Sequence, residues 1–320
     1  MEQKNKKVCF FGASVTRQPK GMVQNFQELN KNTDTYFFAY GGNRIKDAGV
    51  CHLNKIIKTH PDYCFVDWFS GQMPLAPTAQ FLEMCMDAIV YKLLEIKCIP
   101  IFLLLYRHDS ITINDILPKR AELYSLIESY CKKYNIPCLS LYKNKRVINL
   151  QADNQLLIDV VHTTPSGSAL YGELISEYFN KVLNGSNPVN SDTIIKPLDN
   201  YLCDIKEINF EKTITKSFKI IGNGRLIGIN INAGPHSGIV DLFHANGAQE
   251  RINTWDMYCY YTRNIVSFVN TYMKDWIELK INKENFDRSA CNKECPWEKF
   301  DKELRCMSIF YTGEILEIQS

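Results

Sequence analysis

The stretch Val8-Cys9-Phe10-Phe11-Gly12-Ala13-Ser14-Val15-Thr16-Arg17 sets the frame for the whole chain. A short apolar run with strong β propensity leads directly into Gly-Ala-Ser. This is the pattern of a buried strand ending in a tight turn that exposes a hydroxyl. In open α/β sheets, the loops at the carboxyl ends of parallel strands carry the chemistry. A lone Gly-x-Ser is a common triplet, and a serine there more often caps a helix than attacks a substrate. It gains weight from Asp159-Val160-Val161-His162-Thr163-Thr164-Pro165, at the far end of the same patterned region. The two segments together supply a nucleophile, a base and an acidic orienter.

Outward from this first strand, residues 1–185 alternate strand-like and helix-like segments. Strands are predicted over 7–11, 35–40, 63–68, 100–105 and 137–141, and helices over 81–97, 119–134 and 166–183. Such alternation implies a parallel sheet covered on both faces, and near-continuous apolar strands fit that burial. Asn184-Gly-Ser-Asn-Pro-Val-Asn-Ser191 is a cluster of turn-formers and reads as a linker. Beyond it the texture changes to short β-rich runs at 218–221, 226–231, 239–243, 257–261, 265–269, 276–281 and 307–311. Gly222-Asn223-Gly224 and Asn246-Gly247 punctuate them, which predicts an antiparallel β-sandwich. The expected layout is an α/β domain over 1–185 and a jelly-roll-like β-sandwich accessory domain over 186–320.

The 320 residues are 45% hydrophobic and 22% charged, with a net charge of +2. That balance gives no support for binding nucleic acid or an anionic membrane surface. The longest apolar run, Cys98–Tyr106, has the length of a strand, far short of the ~20 residues of a membrane span. The apolar stretch after Met1–Lys7 is too short for a signal-peptide core. The twelve cysteines are scattered, and Cys9, Cys64 and Cys98 sit inside apolar runs, the pattern of buried reduced thiols. The expected location is cytoplasmic.

A serine hydroxyl is a poor nucleophile until a neighbouring base takes its proton. Histidine does this near neutral pH, and a carboxylate beside it fixes the tautomer and stabilises the imidazolium. Asp159 and His162 lie three residues apart just before a helix that Pro165 can start. The tetrahedral oxyanion also needs donors. The main-chain N–H of Ser14 is one candidate, and Ala39-Tyr40-Gly41-Gly42-Asn43 after the second strand is a loop where backbone can approach a ligand.

These motifs, in this order and at these separations, resemble the SGNH hydrolase (GDSL lipase/esterase) superfamily over roughly residues 5–185. Gly12-Ala13-Ser14 resembles the first block, with Ala13 where aspartate is usual. Gly42 resembles the glycine of the second block, and Asp159-Val-Val-His162 the last. The resemblance implies a flavodoxin-like three-layer α/β/α fold and O-acyl ester chemistry. In it, Ser14 is the nucleophile, His162 the base and Asp159 its orienter. The N–H groups of Ser14 and Gly42 form part of the oxyanion hole. The third block departs: the usual Gly-x-Asn-Asp is replaced by Asp67-Trp-Phe-Ser70-Gly71-Gln72. Gln72, Ser70 and Asn43 remain as alternative side-chain donors. The variant start Gly-Ala-Ser-Val-Thr and the Gly-Gly-Asn-x-x-x-Asp stretch resemble SGNH-like proteins of bacterial surface-polysaccharide loci. That implies adding or removing O-acetyl groups on a glycan.

The expected function is therefore a Ser-His-Asp carbohydrate esterase or O-acetyltransferase. The altered third block raises the alternative of a catalytically impaired SGNH-like glycan-binding or scaffolding protein. No cofactor or metal is expected, although a transferase would draw on an acyl donor such as acetyl-CoA. The partner is a carbohydrate or glycan precursor, and the oligomeric state is left open. Arg17 and Asn43 are candidate substrate-binding residues, and Arg44 and Asp47 read as a surface pair or a cap. Trp255, Tyr258, Tyr260 and Tyr261 read chiefly as sandwich core at alternating positions. The spacing of Cys291, Cys295 and Cys306 offers no fourth zinc ligand.

Overall fold

A computed structural model describes residues 5–70, 78–108, 117–185, 189, 200–256, 258–284, 293–295 and 299–320. Five strands, β1 (Lys6–Gly12), β2 (Thr33–Ala39), β3 (Tyr63–Asp67), β4 (Ile99–Leu104) and β5 (Cys138–Ser140), pair in parallel in the order β2-β1-β3-β4-β5. Each falls on a segment expected as a strand from its apolar run. The order is that of flavodoxin-like sheets.

The helices are α1 (Ser14–Arg17), α2 (Met22–Leu29), α3 (Leu53–Ile57), α4 (Ala79–Glu95), α5 (Leu117–Lys133), α6 (Lys145–Ala152) and α7 (Pro165–Asn184). Successive side chains of β1 point to opposite faces, and both faces are apolar because both are covered. On one face, Phe10 packs on Phe65 and on Phe26 of α2, and Phe26 meets Phe179 of α7, with ring centroids 4.7–5.5 Å apart. On the other, Phe11 meets Trp68 edge-on at 4.9 Å, and Phe102 of β4 lies over Tyr130 of α5 at 6.3 Å.

The chain runs from β1 to β2 on one side and returns to β3 on the other. The reversal in strand order therefore lies between the carboxyl ends of β1 and β3, where Gly12 pairs with Asp67. Ligands of doubly wound sheets bind at such a point, and Ser14 is two residues past it.

The chain divides into two compact units, residues 1–203 and 204–320. The second unit thus starts at Asp204, later than the 186 read from the sequence. It is one antiparallel sheet of seven strands: β6 (Lys206–Ile214), β7 (Ser217–Ala233), β8 (Ile239–His244), β9 (Gln249–Asn253), β10 (Arg263–Met273), β11 (Trp276–Asn282) and β12 (Cys306–Gln319). Phe218, Leu226, Ile229, Val240, Leu242, Ile277, Leu279 and Ile309 are all buried in one apolar cluster.

Two sequence readings of this unit change. Gly222-Asn223-Gly224 is not a turn between strands but a corner inside the single strand β7. Residues 217–221 pair with β11 and residues 224–233 with β10, while β12 follows β7 through the corner. Glycine is required there because the two strands nearly touch. A Cβ on Gly224 would stand 2.0 Å from the carbonyl oxygen of Thr312, and one on Gly313 (φ +89°) 2.3 Å from that of Asn223. Within the run read as 257–261, the described residues 258–261 are not a strand. Asp256 accepts the N–H of Tyr258 on Oδ1 and that of Cys259 on its carbonyl, which folds the chain into a turn. Trp255 packs against the apolar cluster as expected, whereas Tyr261 is 47% exposed in the turn, so the four aromatics do not form one strand face.

Candidate active site

Ser14 opens α1 directly after β1, and its turn is held from below. The N–H of Ala13 donates to the carbonyl of Asp67 at 3.1 Å, and Thr16 Oγ1 donates to Asp67 Oδ2 at 2.9 Å. Gly12 has to be glycine, because a Cβ would lie 2.4 Å from Thr16 Oγ1 and 2.6 Å from the Asp67 carbonyl oxygen. Asp67 is fully buried, and burial pushes its carboxyl up to about 7 despite hydrogen bonds that favour its charged form.

The other half of the site is a tight loop before α7. The N–H of Ile158 donates to the carbonyl of His162 at 2.9 Å, and that of Thr164 to Leu156 at 2.9 Å. Asp159 Oδ1 accepts from the N–H groups of Val161 and His162, both at 2.8 Å, so the short acidic side chain shapes its own turn. Thr164 then caps α7 by accepting from the Gly167 N–H at 3.0 Å, with Pro165 in the first turn.

The two halves meet. His162 Nδ1 is 2.7 Å from Asp159 Oδ2, and His162 Nε2 is 2.9 Å from Ser14 Oγ. Burial alone would raise the Asp159 pKa. The N–H groups of Val161 and His162 and the adjacent imidazole outweigh it and hold the carboxyl below its ordinary value. An ionised Asp159 on Nδ1 favours the tautomer whose Nε2 lone pair faces the Ser14 hydroxyl.

The glycine loop after β2 lies beside Ser14. A Cβ on Gly41 would be 3.7 Å from the Ser14 Cβ, and Gly42 follows at φ +73°. Tyr40 anchors the loop by donating its N–H to the Gly12 carbonyl at 3.0 Å. Asn43 is buried, and its Nδ2 donates to the Gly41 carbonyl at 3.2 Å, so this side chain braces the loop. Arg17 is exposed at the end of α1. Arg44 and Asp47 do pair, at 2.8 Å, but Asp47 is buried and also meets Lys46, so the pair is not a surface one. Gln72 lies outside the described residues. Before it, Trp68 Nε1 is buried and finds no hydrogen-bond partner among the described residues.

Sequence reasoning missed the polar groups that support the site. Thr16 and Asp67 lie under the Ser14 turn. Buried Arg107 donates from Nη1 to the Ser70 carbonyl at 2.6 Å, bracing the loop after β3. Gln18 bonds Thr163, the neighbour of His162. Thr16, inside the first motif, and Asp67, at the start of the altered third block, stood where a local pattern could have marked them.

No protein-family model matches the chain, and no curated protein sequence matches it closely enough to count. Solved structures do. A two-domain esterase (CEX) active on acetylated mannans covers 98% of this chain and 92% of its own, with a TM-score of 0.65 at 11% identity. The same esterase co-crystallised with mannopentaose covers 97% and 92%, with a TM-score of 0.67 at 12% identity. A lipase/acylhydrolase from Enterococcus faecalis is similar over 55% of this chain and 96% of its own, with a TM-score of 0.47 at 16% identity. The chain therefore shares the fold of that two-domain esterase, a parallel α/β unit followed by an antiparallel β unit.

Proposed function

We propose that this protein is a serine carbohydrate esterase that cleaves O-acetyl esters through Ser14, His162 and Asp159. The observation that carries this reading is the continuous hydrogen-bonded chain from Asp159 through His162 to Ser14 Oγ, at 2.7 and 2.9 Å, at the switch point of the sheet. The activity of the mannan esterase that shares the fold supports an acetylated polysaccharide as substrate.

In this mechanism His162 Nε2 takes the Ser14 proton as Oγ attacks the acetyl carbonyl. The tetrahedral oxyanion is met by the main-chain N–H groups of Ser14 and Gly42. Collapse breaks the bond to the sugar oxygen, which leaves with the proton from His162, and Ser14 is acetylated. His162 then deprotonates water, which releases acetate and restores the hydroxyl. An acceptor sugar in place of water turns the same steps into acetyl transfer, with acetyl-CoA or another acyl donor loading Ser14. The direct test is acetate release from acetylated mannan and acetylated xylan by the parent and by Ser14→Ala. The parent should release acetate, and the variant should be slower by about 10⁴-fold or more. Equal release by both would remove Ser14 from the mechanism.

A further inference from the structure

Gln18 joins the two halves of the site. It follows α1 as its C-terminal cap, with its own N–H donating to the Val15 carbonyl at 3.2 Å. Its side chain reaches a residue 145 positions away. Nε2 donates to the Thr163 carbonyl at 2.6 Å, and Oε1 accepts from the Thr163 N–H at 3.1 Å and from Thr163 Oγ1 at 3.2 Å. One carboxamide thus satisfies both main-chain polar groups of Thr163, as a neighbouring strand would. Thr163 is only 2% exposed, and its Oγ1 lies 2.7 Å from Ser168 Oγ, itself buried in the first turn of α7.

These bonds close a ring: Ser14, α1, Gln18, Thr163, His162 and back to Ser14. Asp159 fixes the rotation of the imidazole through Nδ1. It sits on the same loop as His162, however, so it cannot fix that loop against β1 and α1. Gln18 is attached to the Ser14 helix and grips the residue beside His162. We infer that Gln18 is a positioning residue that sets the distance between Ser14 Oγ and His162 Nε2. The inference rests on the reading of Ser14 as nucleophile and His162 as base. Proton transfer at a hydrogen-bond distance is steep in geometry, and a displacement of ~1 Å costs about 100-fold.

Gln18→Met keeps the length of the side chain and removes all three bonds, and Gln18→Ala removes the stem as well. Both are compared with the parent and with Ser14→Ala on p-nitrophenyl acetate, well below each variant's unfolding temperature. Gln18→Met should lower kcat by about 10- to 100-fold and leave KM within about twofold, because Gln18 acts through His162. Gln18→Ala should lower kcat at least as far. The low-field proton resonance of the His162 Nδ1–H bond to Asp159, sharp in the parent and in Ser14→Ala, should broaden or vanish in Gln18→Met. A Gln18→Met variant with lowered Tm, unchanged kcat and an unchanged low-field line would overturn the inference and leave Gln18 a purely structural contact. If Ser14→Ala is inactive while Gln18→Met matches the parent, only this inference fails. If Ser14→Ala matches the parent, the nucleophile reading fails, and the low-field line alone decides whether Gln18 holds the imidazole.

Discussion

At the scale of single residues, two carboxyls near the site, the exposed Asp159 and the buried Asp67, are pushed in opposite directions. Asp159 is held below its ordinary value by two N–H groups and an imidazole, which keeps it charged beside His162. His162→Ala should lower kcat/KM on an acetyl ester nearly as much as Ser14→Ala, because the three groups act as a unit, and Asp159→Asn should cost less. Steady-state kinetics of the three variants at one pH check this ranking. Asp67 is the opposite case, raised by burial from 3.8 to about 7. Between about pH 4 and 7 the folded chain holds a proton that the unfolded chain has released. The contribution of Asp67 to stability therefore falls as pH rises through that window, by at most about 1.4 kcal/mol per pH unit, and levels off above it. Asp67→Asn removes this dependence. Urea midpoints of parent and variant should diverge in favour of the variant from pH 4 to 7, and a gap that stays constant would show that Asp67 is not raised.

At the scale of elements, the strands of the first unit were legible because burial on both faces writes continuous apolar runs, as in Val8–Phe11 and Tyr63–Val66. Phe26 on α2 joins β1, β3 and α7 by ring contacts at 5.2, 5.7 and 5.5 Å. Phe26→Ala should cost about 3–5 kcal/mol in denaturant unfolding, since the cavity opens where three elements meet. In the second unit the same local reading failed twice. Gly222 and Gly224 look like turn residues, but what they serve is the approach of β12, which no local pattern encodes. The aromatics from Trp255 to Tyr261 alternate like a strand, yet the side chain of Asp256 claims the N–H that a ladder would need. His52 adds a further element-level effect. Buried and stacked on Tyr40 at 4.2 Å, it is lowered to about 3, so stability from this group rises with pH between about 3 and 6.5. That slope opposes the one from Asp67, so the contributions of these two groups offset each other where their windows overlap.

At the scale of the whole molecule, each of the two units has an apolar core of its own, in the first around β1 and β3 and in the second along β7. Unfolding should therefore depart from a single two-state transition, with a calorimetric enthalpy larger than the van't Hoff value, and agreement of the two would contradict this. The outline of the site was legible because its motifs fall at the ends of one domain, and a parallel sheet brings such ends to one edge. What was not legible is the set of supports that join distant segments: Gln18 to Thr163, Thr16 to Asp67, Arg107 to Ser70. Each pairs residues whose separation carries no period or spacing signal. The central claim is that Ser14 is a nucleophile activated by His162. Labelling with a fluorophosphonate probe, followed by peptide mass mapping, tests it most directly. The label should fall on Ser14 in the parent and be absent or far slower in His162→Ala. A folded parent that takes no label at Ser14, or a His162→Ala variant labelled at the parental rate, would contradict the account.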